Sequence, residues 1–473
     1  MTEKTKDSSD FNLLKTIWPF YILTGFFSMS FSGIFILMVP LSFLFWPEDP
    51  FHAFEMGLLI TSMLWVTSVS GIIFGRFIDN HKFKRTHILF TVALARGFSF
   101  IMLSFANEGK GMETWWYFFF FIMIFAIFAG GNYASVISLS NDLIPKSHRF
   151  RFFGIYSVSR HTFQLVGFVI AGYLVQIGYW RLVFSIMGLA ILISGLIMVF
   201  KIKEPKRGAQ HKELSGVLKK NSVKYDFQID REMMKKTMLS KTNIVALIEG
   251  IFTSVFLGSL IIIILPYIQT EPHNFSPFST GVFLAIFGLT GGFIGQILLA
   301  RFSDKVSQEK HVRRLYFIIL ALSYGAFAFV IMFFLPLPHL TVEQGKDLVL
   351  LFSFPVIWLF GCIYLSSRAI SSLYEINQPP LLQDINLPEA QGQITAWNRL
   401  LETIAFGSGP LIAGILISIT GYDYQLVALI IGVIAIPGIL LWVLALRYFE
   451  EDHQNISKIL SERAKILDSR NNN

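Results

Sequence analysis

Five charged side chains stand deep inside long apolar segments of this sequence. They are Arg96, Arg160, Glu249, Arg368 and Glu402. A charge among apolar residues is costly, so such a residue usually faces a binding site, a proton path or an opposite charge. A carboxylate there can take up and release a proton, whereas a guanidinium can hold an anionic or polar group. Arg96 lies close enough to the cytoplasmic end of its segment to snorkel.

The residue types give little support to other kinds of chemistry. His161 is the one histidine deep in an apolar segment, and no metal-ligand spacing surrounds it. Cys362 is the only cysteine, and the sequence has no glycine-rich phosphate loop. We therefore expect no metal, no cofactor and no enzyme activity.

The elements that must position these residues are membrane helices. Hydrophobic residues make up 53% of the 473 residues and charged residues only 15%, unlike an ordinary soluble domain. A spanning helix needs about 20 mainly apolar residues. Twelve such segments are predicted, at 17–45, 56–77, 88–105, 115–139, 153–177, 182–200, 244–268, 280–302, 315–335, 348–373, 394–419 and 426–448.

Basic residues beside the segments predict the orientation. Lys and Arg cluster between helices 2 and 3, 4 and 5, and 8 and 9, which places these loops and both termini in the cytoplasm. One loop departs from this rule, because Glu375, Asp384 and Glu389 between helices 10 and 11 come without a basic residue. The formal charge of +8 then reflects cytoplasmic loops, and no nucleic acid is expected as a partner.

This reading divides the chain into five parts. They are a cytoplasmic tail (1–16), a six-helix bundle (17–200), a basic cytoplasmic linker (201–241), a second six-helix bundle (242–448) and a cytoplasmic tail (449–473). Phe227, Met233, Met234 and Met238 lie among basic residues of the linker, which fits either a helix on the inner leaflet or a solvated linker. The last tail has the apolar spacing of a short amphipathic helix.

The two bundles repeat one another in sequence. An offset of 225 residues carries Arg76 and Asp79 onto Arg301 and Asp304. A later offset of 242 carries Asp142 onto Asp384, Gly167 onto Gly409, Gly172 onto Gly414 and Arg160 onto Glu402. Parallel repeats of six helices predict two bundles related by an axis along the membrane normal. The predicted fold class is therefore an all-α integral membrane protein with twelve helices in two pseudo-symmetric bundles.

Two motifs resemble those of the major facilitator superfamily. Gly75-Arg76-Phe77-Ile78-Asp79, followed by Lys82, Lys84 and Arg85, is similar to the signature between helices 2 and 3 of that family. Gly409-Pro410 with Ala413-Gly414 resembles its glycine-proline motif. The resemblance extends over nearly the whole chain, and it implies a central cavity between the bundles.

The resemblance also implies roles for individual residues. A cytoplasmic gate would use Arg76, Asp79 and Asp142, with the symmetric set Arg301, Asp304 and Asp384; the alternative is that these are topological anchors. Gly167, Gly172, Gly409, Pro410 and Gly414 would serve helix packing. Glu249 and Arg368 lie on helices that the resemblance places beside the cavity, so they are the first candidates for substrate binding or coupling, with a gate role left open. Asn132 and Tyr133 are milder candidates, and Arg160 and Glu402 fit function or an ion pair equally.

The expected function is secondary active transport of a small organic, amphipathic solute by alternating access, with protons as the candidate coupling ion. The expected partners are the solute and the lipid bilayer, and the expected state is a monomer in the cell membrane. Two alternatives stay open on the same fold. They are an integral membrane enzyme and a receptor or scaffold that moves no solute.

Overall fold

The computed structural model describes residues 13–79, 84–144, 149–205 and 237–471, and within these ranges the chain is helical, without strands. The first half contains seven helical segments. They are α1 (Leu13–Ile36), α2 (Met38–Phe45), α3 (Ala53–Asp79), α4 (Arg85–Leu103), α5 (Met112–Leu143), α6 (Arg149–Gln176) and α7 (Trp180–Lys201).

The second half continues the series after the linker. Its long helices are α8 (Lys241–Gln269), α9 (Pro277–Ser307), α10 (Arg313–Phe333), α12 (Pro355–Asp384), α13 (Pro388–Ile419), α14 (Tyr424–Ala445) and α15 (Phe449–Asn471). The short helix α11 (Leu348–Ser353) lies between α10 and α12. Helix α9 contains two π-helical stretches, Leu284–Leu289 and Ile294–Leu299.

Eleven helical segments of the described ranges are long and apolar enough to cross a membrane. Two other long helices remain: α15 is the polar terminal helix, and α6 carries Arg160, His161 and Gln164 near its middle, which lowers its apolar content. Large apolar side chains such as Phe120 and Phe200 are 60% and 80% exposed, as lipid-facing residues are. The predicted fold class of a twelve-helix membrane protein is confirmed.

Helix α12 differs from its prediction in a way that matters for the site. The sequence predicts its end at Leu373, but the helix continues through Pro379 and Pro380 to Asp384. The acidic residues Glu375 and Asp384 therefore belong to a helix and not to a loop. The prediction was wrong because two consecutive prolines and a polar run are normally breakers, whereas helices inside bundles tolerate proline.

The chain divides into two compact units. The first consists of residues 1–219, 268–285 and 340–348, and the second of residues 220–267, 286–339 and 349–473. Within the first unit α1 packs on α6, α4 on α7, and α3 on α5. Within the second unit α8 packs on α13, α10 on α14, and α9 on α12. The helix pairs correspond one to one, so the repeat in the sequence is also a repeat in packing.

Glycines allow the closest of these contacts. A Cβ at Gly167 would lie 2.7 Å from the Met29 carbonyl oxygen in α1, and a Cβ at Gly409 would lie 2.6 Å from the backbone of Gly258 in α8. The Ser259 hydroxyl donates a hydrogen bond to the Gly409 carbonyl at 3.0 Å. A larger residue at either glycine would force the paired helices apart.

Three other positions were predicted to serve packing. A Cβ at Gly172 would lie 2.4 Å from the Pro277 carbonyl oxygen at the start of α9, inside the first unit. Pro410 and Gly414 are buried in α13, and the Gly414 carbonyl accepts a hydrogen bond from Ser418 at 2.9 Å.

The terminal tail forms the helix that its spacing predicts. Ile456 and Ile459 of α15 are buried in an apolar cluster with Ile394 of α13. Asp452 accepts a hydrogen bond from the Thr242 backbone N–H at 2.9 Å, which satisfies one of the free donors at the start of α8. The tail helix is thus an integral part of the second unit.

The linker hypotheses fall mostly outside the described residues. Phe227, Met233 and Met234 lie outside these ranges. Met238 is described, and it is 5% exposed in the same apolar cluster, against Leu387 and its neighbours. Its thioether side chain packs on protein, so Met238 matches neither of the two alternatives, a helix on the inner leaflet or a solvated linker.

A buried ion pair ties together three parts of the first unit. Arg85, at the first residue of α4, is 1% exposed, and its Nε donates to Glu204 Oε1 at 2.8 Å. Its Nη1 donates to the Ser138 carbonyl oxygen at 2.9 Å, and its Nη2 to the Pro205 carbonyl oxygen at 3.2 Å. Arg85 therefore joins α4 to α5 and to the segment after α7, and is more than a solvated loop charge.

Glu204 also binds the start of α4. Its Oε2 accepts the Thr86 backbone N–H at 3.0 Å, where a negative charge is favoured by the helix dipole. Burial raises the pKa of Glu204, but hydrogen bonds from Thr86 and Arg85 and the Arg85 charge outweigh burial and hold this pKa below its ordinary value. The pair is therefore ionised at neutral pH.

We expect Glu204→Gln to destabilise the protein, because Arg85 would stay buried without its counter-charge. Breaking a buried pair costs about 3 kcal/mol at the low end, so the apparent Tm in detergent should fall by about 5 °C or more. Since folding lowers the pKa of Glu204, its stabilisation exists above the ordinary carboxyl pKa and is lost as the pH falls through the folded value. The difference in Tm should therefore be full at neutral pH and shrink only as the pH falls below about 4.

Glu108→Gln is the matched control. Its carboxylate pairs with Arg181 at 2.6 Å, but the side chains are 46% and 49% exposed, so we expect a small change. Equal losses of Tm in the two variants would show that the Arg85–Glu204 pair has no special role.

Candidate functional site

Glu249 lies in α8 of the second unit and is fully buried, with 0% exposure. Thr253, one turn later, donates its hydroxyl to Glu249 Oε1. The Tyr374 hydroxyl, from α12, lies 3.4 Å from Glu249 Oε2. The Trp442 indole is near the same carboxylate but outside normal hydrogen-bond geometry. Hydroxyl groups are therefore the hydrogen-bond donors that Glu249 meets among the described residues.

Glu402 in α13 is the second buried acid of this site, with 9% exposure. Its Oε1 accepts Gln378 Nε2 at 2.7 Å and Asn398 Nδ2 at 2.8 Å. Arg399 Nη1 lies 3.8 Å from the other oxygen, Oε2, but the Arg399 side chain is 81% exposed, so this pair is weak. Two amide donors therefore carry most of the stabilisation of the Glu402 carboxylate.

Tyr374 connects the two acids. Its hydroxyl lies 3.4 Å from Glu249 Oε2 and 3.4 Å from Glu402 Oε1, both long for an O–H···O hydrogen bond. Gln378 Nε2 donates to the same hydroxyl at 3.0 Å. A phenol carries one proton, so Tyr374 can donate to only one of the two carboxylates at a time.

The donors assign different charges to the two acids. Amide N–H groups stabilise a carboxylate in its charged form, which favours an ionised Glu402. A second negative charge on Glu249 would be buried next to the first without an adjacent cation, which is costly. From these donors we expect the site to hold one negative charge, on Glu402, and one proton, on Glu249.

Local helix geometry builds this site from three pairs of residues. Each pair is four residues apart and so lies on one face of its helix. The pairs are Glu249 and Thr253 on α8, Tyr374 and Gln378 on α12, and Asn398 and Glu402 on α13. The sequence analysis found both acids but missed Tyr374 and Gln378, because it ended their helix at Leu373. Polar residues four apart were the signal in the sequence that could have indicated Tyr374 and Gln378.

The other cavity candidates do not join this site. Arg368 is exposed on α12, and no described contact connects it to Glu249. Arg160 is exposed on α6 of the first unit, whereas Glu402, its counterpart in the repeat, belongs to the second. Asn132 on α5 is 8% exposed, and its Oδ1 has no hydrogen-bond partner. The Tyr133 side chain lies outside the described part of the structure.

The predicted gate residues can be placed only in the second unit, because the side chains of Arg76, Asp79 and Asp142 lie outside the described part. Asp304 pairs with Arg314 at 3.3 Å. Asp384 pairs with His311 at 2.5 Å, and the His453 ring lies 3.1 Å from the Asp384 carbonyl oxygen. Arg301 is exposed and has no ion pair among the described residues. The continued α12 brings Asp384 to the start of α10, where its partner is His311 and not another member of the predicted gate set.

Arg96 differs from its expected snorkelling arrangement. It is 4% exposed in α4, and its guanidinium carbon lies 3.9 Å from the Phe27 ring centroid and 4.2 Å from that of Phe125. The two aromatic faces hold the cation inside the first unit by cation–π contact, so it does not reach the membrane edge.

Two sets of membrane helices with matching pairs, and buried ionisable groups between helices, define a multi-pass membrane protein with a transporter fold. The sequence profile of the Major Facilitator Superfamily matches residues 18–375, more than half of the chain. The chain belongs to this superfamily, which confirms the resemblance found in its motifs. No curated protein matches the chain in sequence.

Solved structures with the same fold include known transporters. A bacterial homologue of the human lysosomal transporter Spinster, inward-facing and unoccupied, has a TM-score of 0.69 and 16% identity, covering 93% of this chain and 98% of that one. A D-xylose–proton symporter has a TM-score of 0.63 and 15% identity, covering 92% and 98%. The nucleoside transporter NupG has a TM-score of 0.60 and 13% identity, covering 91% and 99%. At these identities the likeness is one of fold.

The assignment of charges predicts that two conservative variants differ in their change of Tm. Glu249→Gln replaces a neutral acid by a neutral amide, so we expect little change in Tm in detergent. Glu402→Gln removes the charge that accepts two amide N–H groups, a loss of about 1.5–3 kcal/mol, so its Tm should fall by several degrees. A larger loss in Glu249→Gln than in Glu402→Gln would reverse the assignment.

Proposed function

We propose that this protein is a secondary active transporter that carries a small organic solute across the cell membrane by alternating access, with protons as the coupling ion. The observation that carries the proposal is the pair of buried acids, Glu249 and Glu402, which meet at the Tyr374 hydroxyl. Ionisable groups inside membrane helices commonly mark proton relays. The D-xylose–proton symporter shows that this fold can couple a solute to protons.

The proposed cycle follows from the shared negative charge. With a proton on Glu249, the site carries the single charge of Glu402, held by Gln378 and Asn398. Loss of the proton places two charges around one Tyr374 hydroxyl, which raises the free energy of the buried state. The unit then favours an arrangement that admits water or a new proton to Glu249. Protonation and the access of the site are coupled in this way.

We expect Glu249→Gln to abolish solute accumulation driven by a pH gradient while leaving equilibrium exchange largely intact. The amide mimics the protonated acid, so the carrier can change its access but cannot release a proton. The solute is chosen by a thermal-shift screen of a metabolite library with the full chain, and both activities are measured in liposomes. Uptake into these liposomes also separates a transporter from a membrane enzyme or receptor.

Glu309→Gln is the control for loss of a carboxylate. Its side chain is 73% exposed and pairs with Arg313 on the surface, so both activities should persist. Accumulation that survives in Glu249→Gln would contradict the coupling role, and loss in Glu402→Gln alone would move that role to Glu402.

We further propose that both termini and the linker 201–241 face the cytoplasm. In a Cys362→Ala background, a cysteine at Ser461, exposed on α15, should be protected from an impermeant thiol reagent added to intact cells. A cysteine at Lys346, in the turn between α10 and α11, should react. Labelling of the Ser461 position together with protection of the Lys346 position would invert the topology.

A further inference from the structure

Arg96 is a buried cation whose hydrogen-bond donors meet no acceptor in the described ranges of the chain. Among the described residues no carboxylate or carbonyl oxygen forms a hydrogen bond with it, and its Nε is sealed from solvent without a partner. The rings of Phe27 and Phe125 lie against the guanidinium carbon at 3.9 and 4.2 Å from their centroids. Ring contacts act on the charge, but they satisfy none of the five N–H donors.

Arg85, on the same helix, shows how this fold normally treats a buried arginine. Its guanidinium donates to Glu204, to Ser138 and to the Pro205 carbonyl oxygen, and its counter-charge lies 2.8 Å away. The two arginines are equally sealed, at 1% and 4% exposure. In the part of the chain that the structure describes, Arg96 therefore has none of the acceptors that burial of a guanidinium ordinarily requires.

Other polar atoms without partners lie on the helices that hold the two rings. Thr24 is one turn before Phe27 on α1, and its hydroxyl has no partner. Asn132 lies two turns after Phe125 on the same face of α5, and its Oδ1 is also unpartnered, as is the Ser135 hydroxyl. Unpartnered polar atoms therefore lie on α1 and α5, the same two helices of the first unit that supply the rings beside Arg96.

The chemistry of these groups selects the missing ligand. A guanidinium binds a carboxylate or a phosphate through two parallel N–H···O bonds, and the hydroxyls can donate to the same oxyanion. The faces of the guanidinium are covered by Phe27 and Phe125, so an apolar chain attached to the anion would also find contact. We propose that Arg96 binds the carboxylate or phosphate group of an amphipathic ligand within the first unit. If the bound anion is also the transported solute, the proposal names the class of solute. That second step rests on the proposed function, whereas anion binding at Arg96 does not.

The experiment uses the purified full chain in a neutral detergent. Decanoate and decyl phosphate are titrated as probes, with decanol and decyltrimethylammonium as the neutral and cationic counterparts, and binding is read from the shift in Tm. We expect the two anions to stabilise the wild type and the counterparts not to do so. Arg96→Gln should weaken the apparent affinity at least tenfold. Arg96→Lys should fall between, because lysine keeps the charge without the two-pronged geometry.

Arg447→Gln removes the same charge from an exposed position at the end of α14 and should bind both anions like the wild type. If Arg96→Gln does not fold, the difference between wild type and Arg96→Lys decides. Native mass spectrometry of the wild type and Arg96→Lys distinguishes the two sources of the anion. A phospholipid retained by the wild type alone, and displaced by decyl phosphate, would assign the site to a lipid phosphate; none retained would assign it to a free solute.

Two results would overturn the proposal. One is a wild type that neither anion stabilises and that retains no anionic lipid; the other is Arg96→Gln binding as tightly as the wild type, which would make Arg96 a structural residue. The proposed function fails separately. Anion binding through Arg96 without proton-driven uptake would keep this site and remove the coupling, whereas coupled uptake of a solute without Arg96-dependent anion binding would do the reverse.

Discussion

A polar or charged group inside a membrane-spanning bundle has no water around it, so its free energy depends on the partners that the protein supplies. The backbone meets this constraint by being helical in each membrane-spanning segment of the described ranges. The charged side chains meet it in three ways. Arg85 has a counter-charge and carbonyl acceptors, the two acids of the second unit share donors, and Arg96 meets two aromatic faces. Of these arrangements, only that of Arg85 pairs the charge with a counter-charge and acceptors. A proton or a ligand therefore has most effect at the two acids and at Arg96.

The long contacts of Tyr374 suit a site that changes its protonation state. Gln378 holds Glu402 at 2.7 Å, a normal distance for a charge-assisted bond that keeps one acid in place. The Tyr374 hydroxyl lies 3.4 Å from each acid, so neither carboxylate binds the hydroxyl proton of Tyr374 tightly. A short bond to one acid would stabilise one state permanently. A weak and symmetric contact leaves the balance to the proton on Glu249, which is what a coupling site requires.

Sequence patterns predicted the fold because apolar length, basic loops and the repeat are local or periodic signals. They predicted the site only in part. Glu249 and Glu402 stand out as charges in apolar runs, but Tyr374 and Gln378 follow the predicted helix end, and only tertiary packing keeps α12 helical through Pro379 and Pro380. The rings that contact Arg96 come from α1 and α5. No spacing along the chain indicates that Arg96 would contact two phenylalanine rings and not extend to the membrane edge. Pairing between distant helices was the information that the sequence lacked.

The two units share their helix pairing but differ in the charge that they leave uncompensated. The first contains Arg96, a cation for which the described residues supply no acceptor, and the second contains two acids around one hydroxyl. An oxyanion bound at Arg96 and a proton bound at Glu249 would each remove an uncompensated charge, and together they add no net charge to the protein. A carrier changes its access most easily when its buried charges are balanced, because unbalanced charges are costly in hydrocarbon. Under the proposed function, an anion as cargo and a proton as coupling ion would suit one another, because each would lower, in its own unit, the electrostatic cost that opposes movement of the empty carrier.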